Sequence, residues 1–237
     1  MSQLLIARLG VLLLIWTAAS SLTHASAVIY DNTSTATVGD WTPDGFWPFS
    51  YYSPNEPTGD QVGLDGPDRS VTQFDLLLSS TQPATVSSIT LSFCLPDGLD
   101  GNGTQGAPGT LLWSGTLFNV SVNGLTTLTF PVPSVEVPDE FIWIVSADSE
   151  IAGLATFDPP TIGSSGEYYW DWDSHDGQWY ALNFPADSDG ITPSPVANFG
   201  ARIWAPEPVT GLSLAFGLPW LLRRKAIVAR RKTRRLR

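Results

Sequence analysis

The chain has 237 residues, 43% of them apolar, with 21 Gly, 19 Pro and a formal net charge of −11. That length supports one domain with its own core, the apolar content excludes wholesale disorder, and the Gly and Pro content favours turns over long helices. Charge is segregated: all 23 acidic residues lie between Asp31 and Glu207, where Arg69 and Arg202 are the basic residues, while nine of twelve Lys and Arg fall within residues 223–237. A body this acidic repels nucleic acid, which is set aside as a partner.

Residues 1–27 read as a secretory signal peptide. Arg8 precedes the apolar run LGVLLLIWTAA, and Ala25-Ser26-Ala27 fits an A-x-A cleavage site. An uncleaved N-terminal anchor is the alternative.

Residues 28–204 read as an all-β ectodomain, a β-sandwich or jelly roll. Short β-rich runs begin at Val71, Val86 and Gly124, with partial alternation of apolar and polar residues. Phe141-Ile-Trp-Ile-Val is continuously apolar, which suits a strand buried on both faces. Gly-, Pro- and Asp-rich breaks separate these runs, and Gly39 to Pro57 reads as a long loop over one sheet. Cys94 is the single cysteine, so no internal disulfide forms. Its apolar surroundings predict a small buried hydrophobe rather than a nucleophile.

Between Asp97 and Thr104, oxygen-bearing side chains alternate with glycines in a composition resembling a calcium loop. The register D-x-[DN]-x-[DN]-G and the closing Glu are missing, so a plain Asp/Asn/Gly turn is the preferred reading and no metal or other cofactor is assigned. Glu167 to Tyr180 is the most aromatic stretch. On a strand, Tyr168, Trp170 and Trp172 share one face and Tyr169, Asp171 and Asp173 the other. Asp176-Gly177 then predicts a hairpin that returns Trp179 and Tyr180 alongside. Trp170, Trp172, Trp179 and Tyr180 either fill the core or form a platform for sugar rings. Catalytic residues are not assigned. His175, the one histidine outside the signal, lies in an Asp-Ser-His-Asp-Gly turn, and 23 carboxylates select no pair by themselves.

Residues 205–237 hold Pro206, Glu207 and Pro208, the apolar run Val209 to Leu222, and then Arg223, Arg224 and Lys225 at the head of the basic end. The apolar run is 14 residues and contains Pro219. As a short apolar helix it reaches about 21 Å against a hydrocarbon core near 30 Å. Arg snorkelling, or continuation through Ala226-Ile-Val-Ala, closes the gap.

This tail resembles a PEP-CTERM sorting signal, and the body is similar to ectodomains carried by such proteins in planctomycete-like bacteria. The shared phrases are IYDNTST, GDQVGLDG, GAPGTLLWSGTL, VPDEFIWIVS and FDPPTIGSSGEYYWDW. The resemblance implies an exosortase-like processing enzyme as partner, acting near the Pro-Glu-Pro motif. It also implies a precursor held transiently in the inner membrane, then release to the cell surface or the exopolysaccharide matrix. The basic end fits such a stop, because cytoplasmic Lys and Arg fix orientation. The expectation is a non-enzymatic structural or adhesive protein that touches exopolysaccharide. The alternatives are a secreted polysaccharide-active enzyme using paired Asp or Glu, and a permanently membrane-anchored surface protein.

Overall fold

The predicted β-rich runs fall within strands of the computed structural model, which describes residues 26–34, 46–48, 56–149, 151–157, 160–182 and 198–206. In chain order the strands are β1 (Ser26–Asp31), β2 (Phe46–Pro48), β3 (Thr58–Gly63), β4 (Ser70–Ser80), β5 (Ala84–Cys94), β6 (Gly98–Leu99) and β7 (Gln105–Ala107). They continue with β8 (Leu111–Val122), β9 (Thr126–Glu136), β10 (Glu140–Ala147), β11 (Ala152–Phe157), β12 (Ser164–Asp173), β13 (Gln178–Leu182), β14 (Asn198–Phe199) and β15 (Ala201–Pro206). One sheet runs β13-β12-β3-β10-β5-β8, a second runs β1-β15-β4-β11-β14 with β9 on β4 and β2 on β11, and β6 and β7 form a small ribbon. The fold is all-β and sandwich-like. No helix among the described residues is long and apolar enough to cross a membrane.

Aromatic side chains join the two main sheets. Phe74 of β4 meets Phe93 of β5 at 5.6 Å and Trp143 of β10 at 5.5 Å between ring centres. Phe199 of β14 meets Trp143 at 6.1 Å and Tyr169 of β12 at 5.6 Å. The last three pairs are edge-on or tilted T-shaped contacts, worth about 0.5–1.5 kcal/mol each beyond the area they bury. The apolar run predicted to be buried on both faces is β10. Phe141, Trp143 and Val145 enter the inter-sheet core, while Ile142 and Ile144 join a second cluster with Cys94, Ala107 and Trp170.

The C-terminal strand changes neighbours at Gly200: β14 pairs with β11, β15 with β4. A Cβ on Gly200 would lie 2.5 Å from Phe157 Cε2 and 2.8 Å from Leu77 Cβ, so the crossover admits no side chain. Asn32 clamps both flanks of that glycine. Its Nδ2 donates to Phe199 O at 2.6 Å, and its Oδ1 accepts from Ala201 N at 2.6 Å. The asparagine is fully buried, so its amide replaces the peptide partner that the broken strand lacks.

Both arginines of this unit are committed to structure. Arg69 Nε donates to Asp139 Oδ1 at 2.6 Å, and Arg202 Nε donates to Asp31 Oδ2 at 3.0 Å. Among the described residues no cation offsets Asp60, which lies opposite Trp143 and Tyr169 and is fully buried on the core side of β3. The backbone N–H groups of Gln61 and Phe199 lie near its carboxyl, but neither oxygen has a partner at hydrogen-bonding geometry. Burial therefore holds the carboxyl well above the usual carboxylate range.

Strand pairing continues to both ends of the unit. Ser26 and Ala27, assigned from sequence to the signal peptide, pair in β1 with Pro206 and Ala205, and the compact unit runs Ser26–Pro206. The stretch read as a loop, Gly39 to Pro57, contains β2 paired with β11; its remaining residues before Glu56 lie outside the described set.

The linkage sign for Asp60 is that of a raised acid. Its contribution to stability is complete below the unfolded carboxylate pKa near 4 and is lost as pH rises toward the folded value. Across that window the folded chain holds one proton more than the unfolded chain, and stability falls by about 1.4 kcal/mol for each step of one in pH. Thermal melts from pH 4 to pH 8 will show the wild-type midpoint falling more steeply than that of Asp60→Asn, with the variant the more stable at pH 8. Parallel curves would mean that Asp60 ionises as easily folded as unfolded.

Candidate functional site

The hairpin predicted at Asp176-Gly177 is present, with β12 and β13 joined by residues 174–177. Gly177 sits at φ 70°, and its N–H closes the turn on Asp173 O at 2.8 Å. Asp173 Oδ1 accepts from His175 N at 2.7 Å, and Asp176 Oδ1 accepts from Gln178 N at 3.1 Å. Ser174 ties the turn to the segment before β3, donating from N and Oγ to Glu56 Oε1 at 3.2 and 2.6 Å. His175 is exposed within this turn.

Strand register divides the aromatic residues. Tyr169 faces the inter-sheet core with Asp60 across from it. Trp170 points to the opposite face and is 2% exposed among Ile142, Ile144, Cys94 and Ala107, with Tyr168 and Trp179 packed around it. It presents no ring face to solvent, so of the two alternatives, core or platform, Trp170 takes the core. Trp172 and Trp179 face each other at 5.2 Å and 66°, and both are half-buried. Tyr180 is half-buried too, and its hydroxyl donates to Asp176 Oδ2 at 2.5 Å.

The Asp/Asn/Gly loop reaches this same hairpin, a juxtaposition that sequence spacing did not reveal. Gly101 N donates to Trp179 O at 2.8 Å, and the Tyr180 ring lies where a Gly101 side chain would stand. Asp100 is buried, and its Oδ1 accepts from Asn102 N at 2.9 Å and Thr104 N at 2.7 Å. Asp97 accepts from Thr110 N and Oγ1 at 2.6 and 2.7 Å, bonds that hold its carboxyl below the usual range. Those carboxylates stabilise the turn itself. Among the described residues no group of three or more His, Cys, Asp or Glu has a metal-holding arrangement.

Two depressions flank the hairpin tip. The outer one, about 690 Å³, is lined by Trp172, Trp179, Leu99, Asn102, Asp176 and Gln178 among others. The inner one, about 280 Å³, is bounded by Glu56, Asp171, Asp173, Tyr180 and Leu182. Asp171 is pushed up to about 7 by burial, with Glu56 and Asp173 adding repulsion. Sequence reasoning placed Asp171 on the correct face but had no means to find Glu56, which lies far upstream in the chain. Cys94 is buried and free, its thiol raised to about 11 by burial and by Asp97.

Of the sorting-signal residues, Pro206 closes β15 opposite Ser26, whereas Glu207, Pro208, Arg223, Arg224 and Lys225 lie outside the described residues. No family model, curated protein or solved structure matches the chain.

The two hairpin tryptophans separate in a stability measurement. Trp170→Ala opens a cavity in a closed cluster and will cost about 3–5 kcal/mol, whereas Trp172→Ala at the rim will cost about 1 kcal/mol or less. Equal losses by denaturant unfolding would contradict the division. Saturating calcium will leave the melting midpoint unchanged, because the Asp97 and Asp100 oxygens already serve backbone donors; a rise of several degrees would overturn that assignment.

Proposed function

We propose that this chain is an exported, non-enzymatic surface or matrix protein that holds polysaccharide at the tip of the β12–β13 hairpin. The observation that carries this reading is the solvent-reaching Trp172–Trp179 pair, set beside Asn102, Asp176 and Gln178 in one depression. Ring faces offer stacking to sugar C–H groups, and the surrounding amide and carboxylate oxygens accept hydroxyl protons. Tyr180, buttressed by Gly101 and Asp176, extends the aromatic surface toward the inner pocket.

Export and sorting complete the proposal. Residues 1–27 direct secretion. The segment from Pro206 onward is a PEP-CTERM-type signal that tethers the precursor to the inner membrane until an exosortase-like enzyme acts near Glu207. Physical support comes from the domain itself: its last strand ends at Pro206, so cleavage beyond that residue removes no strand from the described sheets. β1 and β15 pair with each other, so both attachment points leave the domain from one end of the same sheet.

A second reading, a polysaccharide-active enzyme, is favoured by one observation. A carboxyl raised to about 7 beside Glu56 is poised to exchange a proton at neutral pH, as general acids in glycoside cleavage do. Release of reducing ends from a bound polysaccharide, lost in Asp171→Asn, would establish it.

Mass spectrometry of the protein recovered from the native cell surface will find a chain starting near Val28 and lacking the basic end. Peptides beyond Arg223 in that pool would rule out processing. In a glycan pull-down, Trp172→Ala and Trp179→Ala will each reduce retention about tenfold, equivalent to about 1.4 kcal/mol per ring. Unchanged retention in both variants would remove the platform.

A further inference from the structure

We propose that the inner pocket bounded by Glu56, Asp171, Asp173 and Tyr180 binds a cationic amino-sugar unit, its ammonium group meeting the carboxylates of Asp171 and Glu56. This rests on the polysaccharide reading above and names the chemical class of the sugar.

Three observations carry it. Asp171 is 8% exposed, lines the pocket, and receives no hydrogen bond at its carboxylate from the described residues. A largely buried carboxyl without a protein donor keeps its acceptor positions open toward the pocket, where a donor from outside can fill them. Next, three acidic side chains share this pocket, and no cation among the described residues stands beside them. Arg69 and Arg202 are engaged with Asp139 and Asp31. An unneutralised acidic wall of this kind favours a cationic ligand. Finally, the walls suit an organic cation. Tyr180 supplies an aromatic ring and Leu182 an apolar flank, and no metal-holding arrangement exists among the described residues.

The size and setting favour a sugar unit over a basic peptide. A volume of about 280 Å³ accommodates one ring rather than an extended chain. Tyr180 lines the inner pocket and hydrogen-bonds to Asp176, which lines the outer one, so the two sites adjoin across that pair. In the free protein Glu56 from the segment before β3 and Asp173 from β12 both face Asp171, with Tyr180 and Leu182 completing the wall. An ammonium group selects the ionised form of Asp171. Binding therefore releases a proton and tightens as pH rises from acidic values toward 7.

The test is calorimetric titration of the purified full chain with three probes: a short β-linked glucosamine oligomer, its fully N-acetylated counterpart, and tetralysine. The glucosamine oligomer will bind about tenfold or more tightly than the acetylated one, as a charge-assisted contact requires. Asp171→Asn will erase that difference, with a melting midpoint no lower than wild type at neutral pH. Equal affinity for both sugars, an unchanged preference in Asp171→Asn, or tetralysine binding as tightly would each overturn the assignment. Failure of the platform has a separate signature. Acetylated oligomer would then not bind and Trp172→Ala would change nothing, while the Asp171-dependent affinity for glucosamine remains.

Discussion

The organisation of this domain depends on β10 being buried on both of its faces. One row of its side chains, Phe141, Trp143 and Val145, meets the opposite sheet; the other row, Ile142 and Ile144, supports an outer cluster. A strand with one wet face would leave the β12–β13 hairpin unsupported beyond its backbone hydrogen bonds. Ile142 and Ile144 instead seat Trp170, and Trp170 seats Tyr168 and Trp179. The ring pair at the hairpin tip is thus fixed to the centre of the sheet by a continuous chain of packed side chains. Rigid placement of this kind reduces the ordering cost of binding a flexible polymer.

Electrostatics follow a related logic. The acidic body has two arginines, and both stabilise loops or strand ends rather than offer a basic surface. Asp60 is sealed inside the core, where burial opposes its ionisation. Asp171 is held between states at the edge of that core, where burial and two neighbouring carboxylates oppose its ionisation. Both residues belong to one cross-strand neighbourhood of β3 and β12, where Asp60 pairs with Tyr169 and Thr58 pairs with Asp171. The first is sealed and the second opens to a pocket, which makes Asp171 the residue through which a cationic ligand gains most.

Much of the fold was legible because its strongest strands carry local signals. The uninterrupted Phe141 to Val145 run announced double-sided burial, and Asp176-Gly177 announced the hairpin. By contrast, β3 reads as TGDQVG, a turn-like composition, because one of its two inward residues is Asp60, the other being Val62, and Gly59 and Gly63 carry no side chain. The fate of the aromatic row was not legible either. Alternation places Trp170 and Trp172 on one face, but the residues that cover Trp170 come from β5, β7 and β10. Coverage stops one pleat before Trp172. Likewise the Asp97–Thr104 loop and Glu56 converge on the hairpin through tertiary contacts that no spacing encodes.

Burial against β10 separates two closed tryptophans, Trp143 and Trp170, from two half-buried ones at the hairpin tip, Trp172 and Trp179. Hydrogen exchange at the indole N–H groups, followed by NMR, tests this most directly. Trp143 and Trp170, whose Nε1 atoms are buried, should exchange only through unfolding, and Trp172 and Trp179 within the dead time at neutral pH. Trp170 exchanging as fast as Trp172 would contradict the account.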